Sequence, residues 1–196
     1  MVRQAVWLAV VFLAAAAQAA GEAAWPRLVD LEGQEHRPLQ EADLRAAVFI
    51  TVMADCPIVN SYAPEYNRLR EEYGKQGVRV FLLQVDPHAT RESLQQHAKQ
   101  YKLKLPVIHD VDHAWVKRLG ATRTPEATVL APDGSVQYRG RIDDRYVDFG
   151  RRRAAATTRD LRNALEAVLA GRPVINSGQA AIGCYIPRLP NRGETP

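Results

Sequence analysis

Cysteine is scarce in this chain: 196 residues carry two, Cys56 and Cys184, so at most one bridge can form within it. The run Cys56-Pro57-Ile58-Val59-Asn60 has no second sulfur at position 59 or 60, which excludes a thiol pair built inside one helical turn. Neither sign of charge dominates. The formal net charge is +4, and the basic residues are scattered apart from Arg151-Arg152-Arg153. No base-reading motif accompanies that run, so it is read as a solvated loop and no nucleic-acid partner is expected. Internal repeats and low-complexity stretches are absent after the first residues, and with them a repeat-built fold.

Long apolar runs are lacking too, except near the start. Arg3 supplies a positive flank, Ala5 to Ala17 an apolar stretch, and Ala17-Gln18-Ala19 a small-residue cleavage site. The stretch is short for a membrane-spanning helix, so residues 1–19 are expected to be a signal peptide, with an uncleaved N-terminal anchor as the alternative. No cysteine follows it, which excludes lipid attachment at the new N-terminus. The mature protein is expected to be exported, in a bacterium to the periplasm, with no stable membrane insertion after cleavage. An oxidising compartment lets two thiols pair. A Cys56–Cys184 bridge would close most of the chain into one loop, which in the chain-entropy model stabilises by about 4–5 kcal/mol.

What remains is an ordinary globular composition, 46% hydrophobic and 24% charged, of a length that suits one domain over residues 20–173 with a tail at 174–196. Its organising stretch is Val48 to Tyr73. Val48 to Met53 is β-branched and apolar like a buried strand, and stops at Ala54-Asp55 just before Cys56. Pro57 suits a helix's first turn, where the N–H it lacks would have no partner. Tyr62, Tyr66, Leu69 and Tyr73 then form an apolar stripe, with Pro64 able to kink or restart the helix. Cys56 thus stands where a strand hands over to a helix N-terminus, whose N–H groups and dipole favour a thiolate. A small buried core cysteine is the alternative.

Along the rest of the chain, Ala20 to Pro26 reads as a loose leader, and Leu28 to His36 as a hairpin turning at Glu32-Gly33. One helical turn fits Leu39 to Arg45. Val78 to Val85 is a second buried strand, and Thr90 caps a helix through Gln100 with Leu94, Ala98 and Tyr101 inward. Pro106 to Ile108 is a short strand, and His113 to Leu119 a short helix ended by Gly120. Glu126 to Ala131 and Ser135 to Arg141 flank a Pro132-Asp133-Gly134 turn, so they must be antiparallel. Thr157 and Asp160 are expected to cap a last helix carrying Leu161, Leu165, Val168 and Leu169, ended by Gly171. The order is that of a mixed α/β sheet flanked by helices, followed by an irregular tail bearing Cys184.

A strand ending in a Cys-Pro helix start, a later Thr124-Pro125 before a strand, an Asp-Gly hairpin and a final amphipathic helix resemble the thioredoxin fold. The early LVDLEGQEH segment and the helix from Thr90 look like its redoxin branch, the alkyl hydroperoxide reductase and thiol-specific antioxidant superfamily. The resemblance spans Leu28 to Gly171. It implies that Cys56 is the reactive cysteine and that Pro125, after Thr124, is a cis-proline that positions a substrate strand. The chain departs from the pattern where reductases carry a second cysteine, here Val59. It departs again where peroxiredoxins carry a proline and a threonine ahead of the cysteine, here Phe49 and Met53, and where their arginine would stand, near Pro125, with Arg123 a loose substitute.

The leading reading is an exported thiol-dependent oxidoreductase acting on disulfides or peroxides. Cys56 attacks, Cys184 resolves, and Thr124, Pro125 and Asn60 contact the substrate. No cofactor is expected; the partners are a protein thiol or disulfide, or a small oxidant, together with an electron donor. Two other readings stand beside it. One is a non-catalytic interaction module in which Cys56–Cys184 is a permanent staple. The other is copper handling through Cys56 with His88, His109 or His113, against which the missing sulfur at Asn60 counts. Arg139, Arg141, Asp143, Asp144 and Arg145 are read as a solvated loop rather than an ion-pair network.

Overall fold

The computed structural model describes residues 25–175 and 178–189. The expected signal segment 1–19 and leader residues 20–24 lie outside the described residues. The N-terminal hairpin pairs β1 (Leu28–Val29) with β2 (Glu35–His36) antiparallel. The Asp30 carboxylate folds it, accepting from the backbone N–H groups of Glu32 and Gln34 at 3.0 and 2.8 Å and pairing with His36 Nε2 at 2.7 Å. The helical turn that follows is a 3₁₀ turn over Pro38–Gln40.

The molecule is built around β3 (Ala46–Val52), all seven residues of which are buried. A strand apolar on both faces can only sit mid-sheet with cover on each side, and β3 does. β4 (Val78–Gln84) runs parallel along one edge, in register from Ala46↔Val78 to Val52↔Gln84. β7 (Glu126–Leu130) runs antiparallel along the other, from Ala47↔Leu130 to Thr51↔Glu126. With β5 (Val107–His109) parallel to β4 and β8 (Val136–Gly140) antiparallel to β7, the order is β5-β4-β3-β7-β8.

Because side chains alternate along a strand, β3 feeds two cores. Val48, Ile50 and Val52 pack with Tyr62, Tyr66 and Leu69 of the helices after Cys56, with Leu94 of α3 (Arg91–Gln100), and with Leu161 and Leu165 of α5 (Asp160–Leu169). Ala47 and Phe49 pack with Phe81, Leu83 and Leu130, with Leu28 of the hairpin, and with Trp115 and Leu119 of α4 (Ala114–Leu119). Phe49 stacks on both Phe81 and Trp115, with ring centroids 5.4 and 4.6 Å apart.

The expected stripe divides between α1 (Pro57–Ser61) and α2 (Ala63–Gly74), with Tyr62 at the joint and Pro64 in the first turn of the second helix. Pro64 restarts the helix. Two short ribbons complete the fold: β6 (Arg123–Thr124) with β11 (Cys184–Tyr185), and β9 (Tyr146–Asp148) with β10 (Arg151–Arg152), both antiparallel. Among the described residues no helix is long and apolar enough to cross a membrane.

Two expectations near α5 are corrected. Arg159, not Thr157, takes its N-cap position, with no side-chain cap bond. Thr157 turns instead to Asp144, whose Oδ1 accepts from the Thr157 and Thr158 backbone N–H groups at 2.7 and 2.9 Å and whose Oδ2 accepts from the Thr157 hydroxyl. Asp160 pairs with Arg141 at 2.8 Å. A buried carboxylate left without donors costs more than a missing helix cap, so the long-range demand takes the donors. Nor is the stretch before it a solvated loop: Asp143 and Asp144 are each 6% exposed and form an ion-pair network with Arg145 and Arg153.

The Thr157 and Thr158 donors hold the Asp144 carboxyl down from 3.8 to about 2. A carboxylate whose folded pKa is depressed stabilises the fold above its unfolded pKa and loses that contribution as pH falls towards the folded value. Acid titration of unfolding free energy is therefore expected to show a decline between about pH 4 and 2 that Asp144→Asn flattens.

Candidate functional site

The site is assembled from the end of β3, the start of α1, the loop before β7 and the C-terminal segment. Beyond Val52 the chain turns so that Cys56 N–H donates to Met53 O at 3.1 Å, and Cys56 takes the N-cap position of α1 with extended dihedrals, φ −82° and ψ 112°. Asn60 braces this turn from inside. Its amide donates to Ala54 O at 2.8 Å, and its Oδ1 lies 2.8 Å from His97 Nε2 on α3. With Oδ1 as acceptor, His97 must carry its proton on Nε2, and burial, which pushes the His97 pKa down, favours that neutral ring.

The loop before β7 is held from both sides. Thr51, at the end of β3, donates its hydroxyl to Arg123 O at 2.6 Å and accepts from Glu126 N–H at 3.2 Å. Glu126 Oε2 accepts from the Thr122 and Arg123 N–H groups at 2.7 and 3.3 Å. Between these clamps the Thr124–Pro125 peptide bond is cis, as the resemblance implied. Thr124 O receives the Cys56 thiol, with Sγ 3.8 Å away. Thr124 is fully buried, and its Oγ1 alone among the buried side-chain polar atoms described has no hydrogen-bond partner.

The tail completes the arrangement. β11 pairs Cys184 with Thr124 and Tyr185 with Arg123, so Cys184 arrives on the same carbonyl-bearing residue that Cys56 touches. Both cysteines are free thiols. Burial, a hydrogen bond with Cys56 and the negative charge of Cys56 and Asp55 push the Cys184 thiol from 9.0 up to about 12. Removing a raising influence lowers a pKa. Cys56→Ser is thus expected to increase the thiolate fraction of Cys184 at pH 8, read as faster alkylation of Cys184 than in the native protein.

The structure therefore brings Cys56, Thr124, Pro125 and Cys184 together, with Asn60 one turn away as a brace of the cysteine loop. The histidines considered as copper ligands, His88, His109 and His113, are elsewhere. His109 Nε2 and His113 Nε2 face the backbone carbonyls of Asp86 and Val85 at 2.8 and 2.7 Å, His88 is exposed, and no group of three metal-ligating side chains occurs among the described residues. Three contributors escape sequence reading: the Thr51 hydroxyl, the Glu126 carboxylate and Tyr185, which takes the Arg123 guanidinium over its ring at 4.1 Å. Only Tyr185 left a trace, as an aromatic residue beside Cys184 in a polar tail. Alongside α1, the Tyr62 hydroxyl donates to Asp143 Oδ1 at 2.5 Å, and burial together with that carboxylate pushes the Tyr62 pKa far up.

The model of the AhpC/TSA family matches residues 21–139, ending before the segment that carries Cys184. No curated protein matches the chain. Among solved structures, it is similar to a hypothetical protein from Sinorhizobium meliloti, 26% identical with a TM-score of 0.71 over 82% of this chain and 88% of that one. It is also similar to an uncharacterized conserved protein from Geobacillus kaustophilus, 26% identical with a TM-score of 0.72 over 85% and 91%. The thioredoxin domain of a thiol-disulfide oxidoreductase from Bacteroides vulgatus shares the fold at 14% identity, with a TM-score of 0.53 over 74% and 92%. The mixed sheet and its helices are thioredoxin-like.

Proposed function

Because this chain belongs to the AhpC/TSA family, we propose that it is a thiol-disulfide oxidoreductase with Cys56 as attacking thiol and Cys184 as resolving thiol. The observation that carries the reading is the meeting of two free thiols at Thr124, beside a cis-proline, from positions far apart in the chain. Cys56, as thiolate, attacks one sulfur of a substrate disulfide, forms a mixed disulfide and releases the other half as a thiolate. Cys184 then attacks Cys56 Sγ, displaces the remaining half and closes Cys56–Cys184. Two electrons pass to the substrate, and a dithiol donor returns them. Burial is the largest influence that holds the Cys184 proton and the hydrogen bond with Cys56 the next, so forming the mixed disulfide eases the ionisation of Cys184 without removing its main cause.

Disulfide exchange is favoured over peroxide reduction because the residue three before Cys56 is Met53, which has no hydroxyl to polarise an O–O bond. Residues 1–19 place the reaction outside the cytoplasm in this reading, with 20–173 as the redoxin domain and 174–196 as its thiol-bearing tail. Non-reducing peptide mass spectrometry after oxidation with a small disulfide is expected to find Cys56 joined to Cys184. Two unlinked cysteines, each carrying the small thiol, would remove Cys184 from the mechanism.

A further inference from the structure

The C-terminal segment has almost no regular structure, yet it is tied to the body repeatedly. Gln179 O accepts from Arg141 N–H at 3.0 Å, Ala181 is buried, and Ile186 N–H reaches Thr122 O at 3.4 Å beyond the two-residue ribbon. Glycine permits the approach on both sides. A Cβ on Gly140 would stand 2.6 Å from Gln179 O, and one on Gly183 would run into the Thr124 carbonyl. Ile182 and Cys184 lie against the buried cluster that contains Cys56, and Cys56 is 1% exposed despite standing at the rim of the sheet. A nucleophile so covered meets no disulfide until its cover moves. The outer fastening of that cover is slight: Tyr185 is 70% exposed, held by Arg123 through one hydrogen bond of 2.9 Å and the guanidinium over its ring.

We propose that residues 179–186 are a strap that closes over Cys56, with Gly183 allowing the closed position and the Arg123–Tyr185 contact setting how often it opens. Cys184 rides on this strap, so opening bares Cys56 and withdraws the resolving thiol in one movement. A mixed disulfide forms without competition, and closing returns Cys184 to expel the product. The inference rests on the proposed attacking role of Cys56, but its test reads access to the thiol rather than turnover.

The test uses the full chain carrying Cys184→Ser, in which Cys56 is the sole thiol, with N-ethylmaleimide as probe and intact mass as readout. Adding Tyr185→Ala is expected to speed Cys56 modification about tenfold and adding Gly183→Val to speed it further. Leu119→Ala, on the far face of the sheet, supplies the rate caused by general loss of stability, compared at matched urea midpoints. A rise above that baseline for Tyr185→Ala, or for Gly183→Val, supports the strap. Rates at the baseline in both variants overturn it, and leave the separate expectation of a Cys56–Cys184 bridge, read by mass spectrometry, untouched.

Discussion

Cys56→Ser is expected to abolish disulfide reduction, with kcat/KM falling by about 10³-fold or more, because no other group described beside the cis-proline supplies a nucleophilic sulfur except its own partner. Cys184→Ser is expected to fail differently. Its first turnover with a small disulfide should proceed, trapping the substrate on Cys56 as a mixed disulfide visible by mass, while steady-state turnover falls by about two orders of magnitude. The contrast matters more than either number. If both variants lost the first step alike, Cys184 would be supporting the geometry of the site; if neither lost turnover, the chemistry would lie elsewhere. The same pair of variants separates a catalyst from an interaction module with a permanent staple. A staple would lower stability on removal and leave no trapped adduct.

Phe49→Ala is expected to cost about 3–5 kcal/mol of stability. Its ring is 1% exposed and stacked between Phe81 and Trp115, so truncation removes two aromatic contacts as well as buried area. The cavity would lie between β3, β4 and α4, none of which can close it without breaking the parallel register of Ala46 to Val52 on β4. A shift of the guanidinium unfolding midpoint with an unchanged slope is the expected result. A loss below about 1 kcal/mol would show that the aromatic stack is replaceable. Position 49 thus serves the core in this chain.

Much of this was legible in the residues. The buried strands, the Cys56-Pro57 junction, the Thr90 cap, the Gly120 and Gly171 stops and the hairpin all follow from local chemistry, and the structure has them. The Thr90 helix even carries a reciprocal cap, with Ser93 in the role more often filled by glutamate or glutamine. What local chemistry did not give was the outcome of competition between distant groups. Thr157 and Asp160 look like a cap until Asp144 and Arg141 are brought beside them, and a stretch rich in arginine and aspartate looks solvated until the fold buries Asp143 and Asp144. The site divides the same way. Cys56 and Pro125 announce themselves by their neighbours in sequence, whereas the pairing of Cys184 with Thr124 depends on where an irregular tail comes to rest.

The Thr51 hydroxyl has a consequence for folding fidelity. It reaches Arg123 and Glu126 only because Thr51 stands opposite Glu126 in the antiparallel pairing of β3 with β7. A slip of one residue would turn that hydroxyl to the opposite layer and invert every apolar side chain of the strand with it. Misaligned molecules would therefore lose the clamp on the proline loop at the same moment as they lose their interior. A slip between β3 and β7 therefore cannot leave the interior packed while displacing the proline loop.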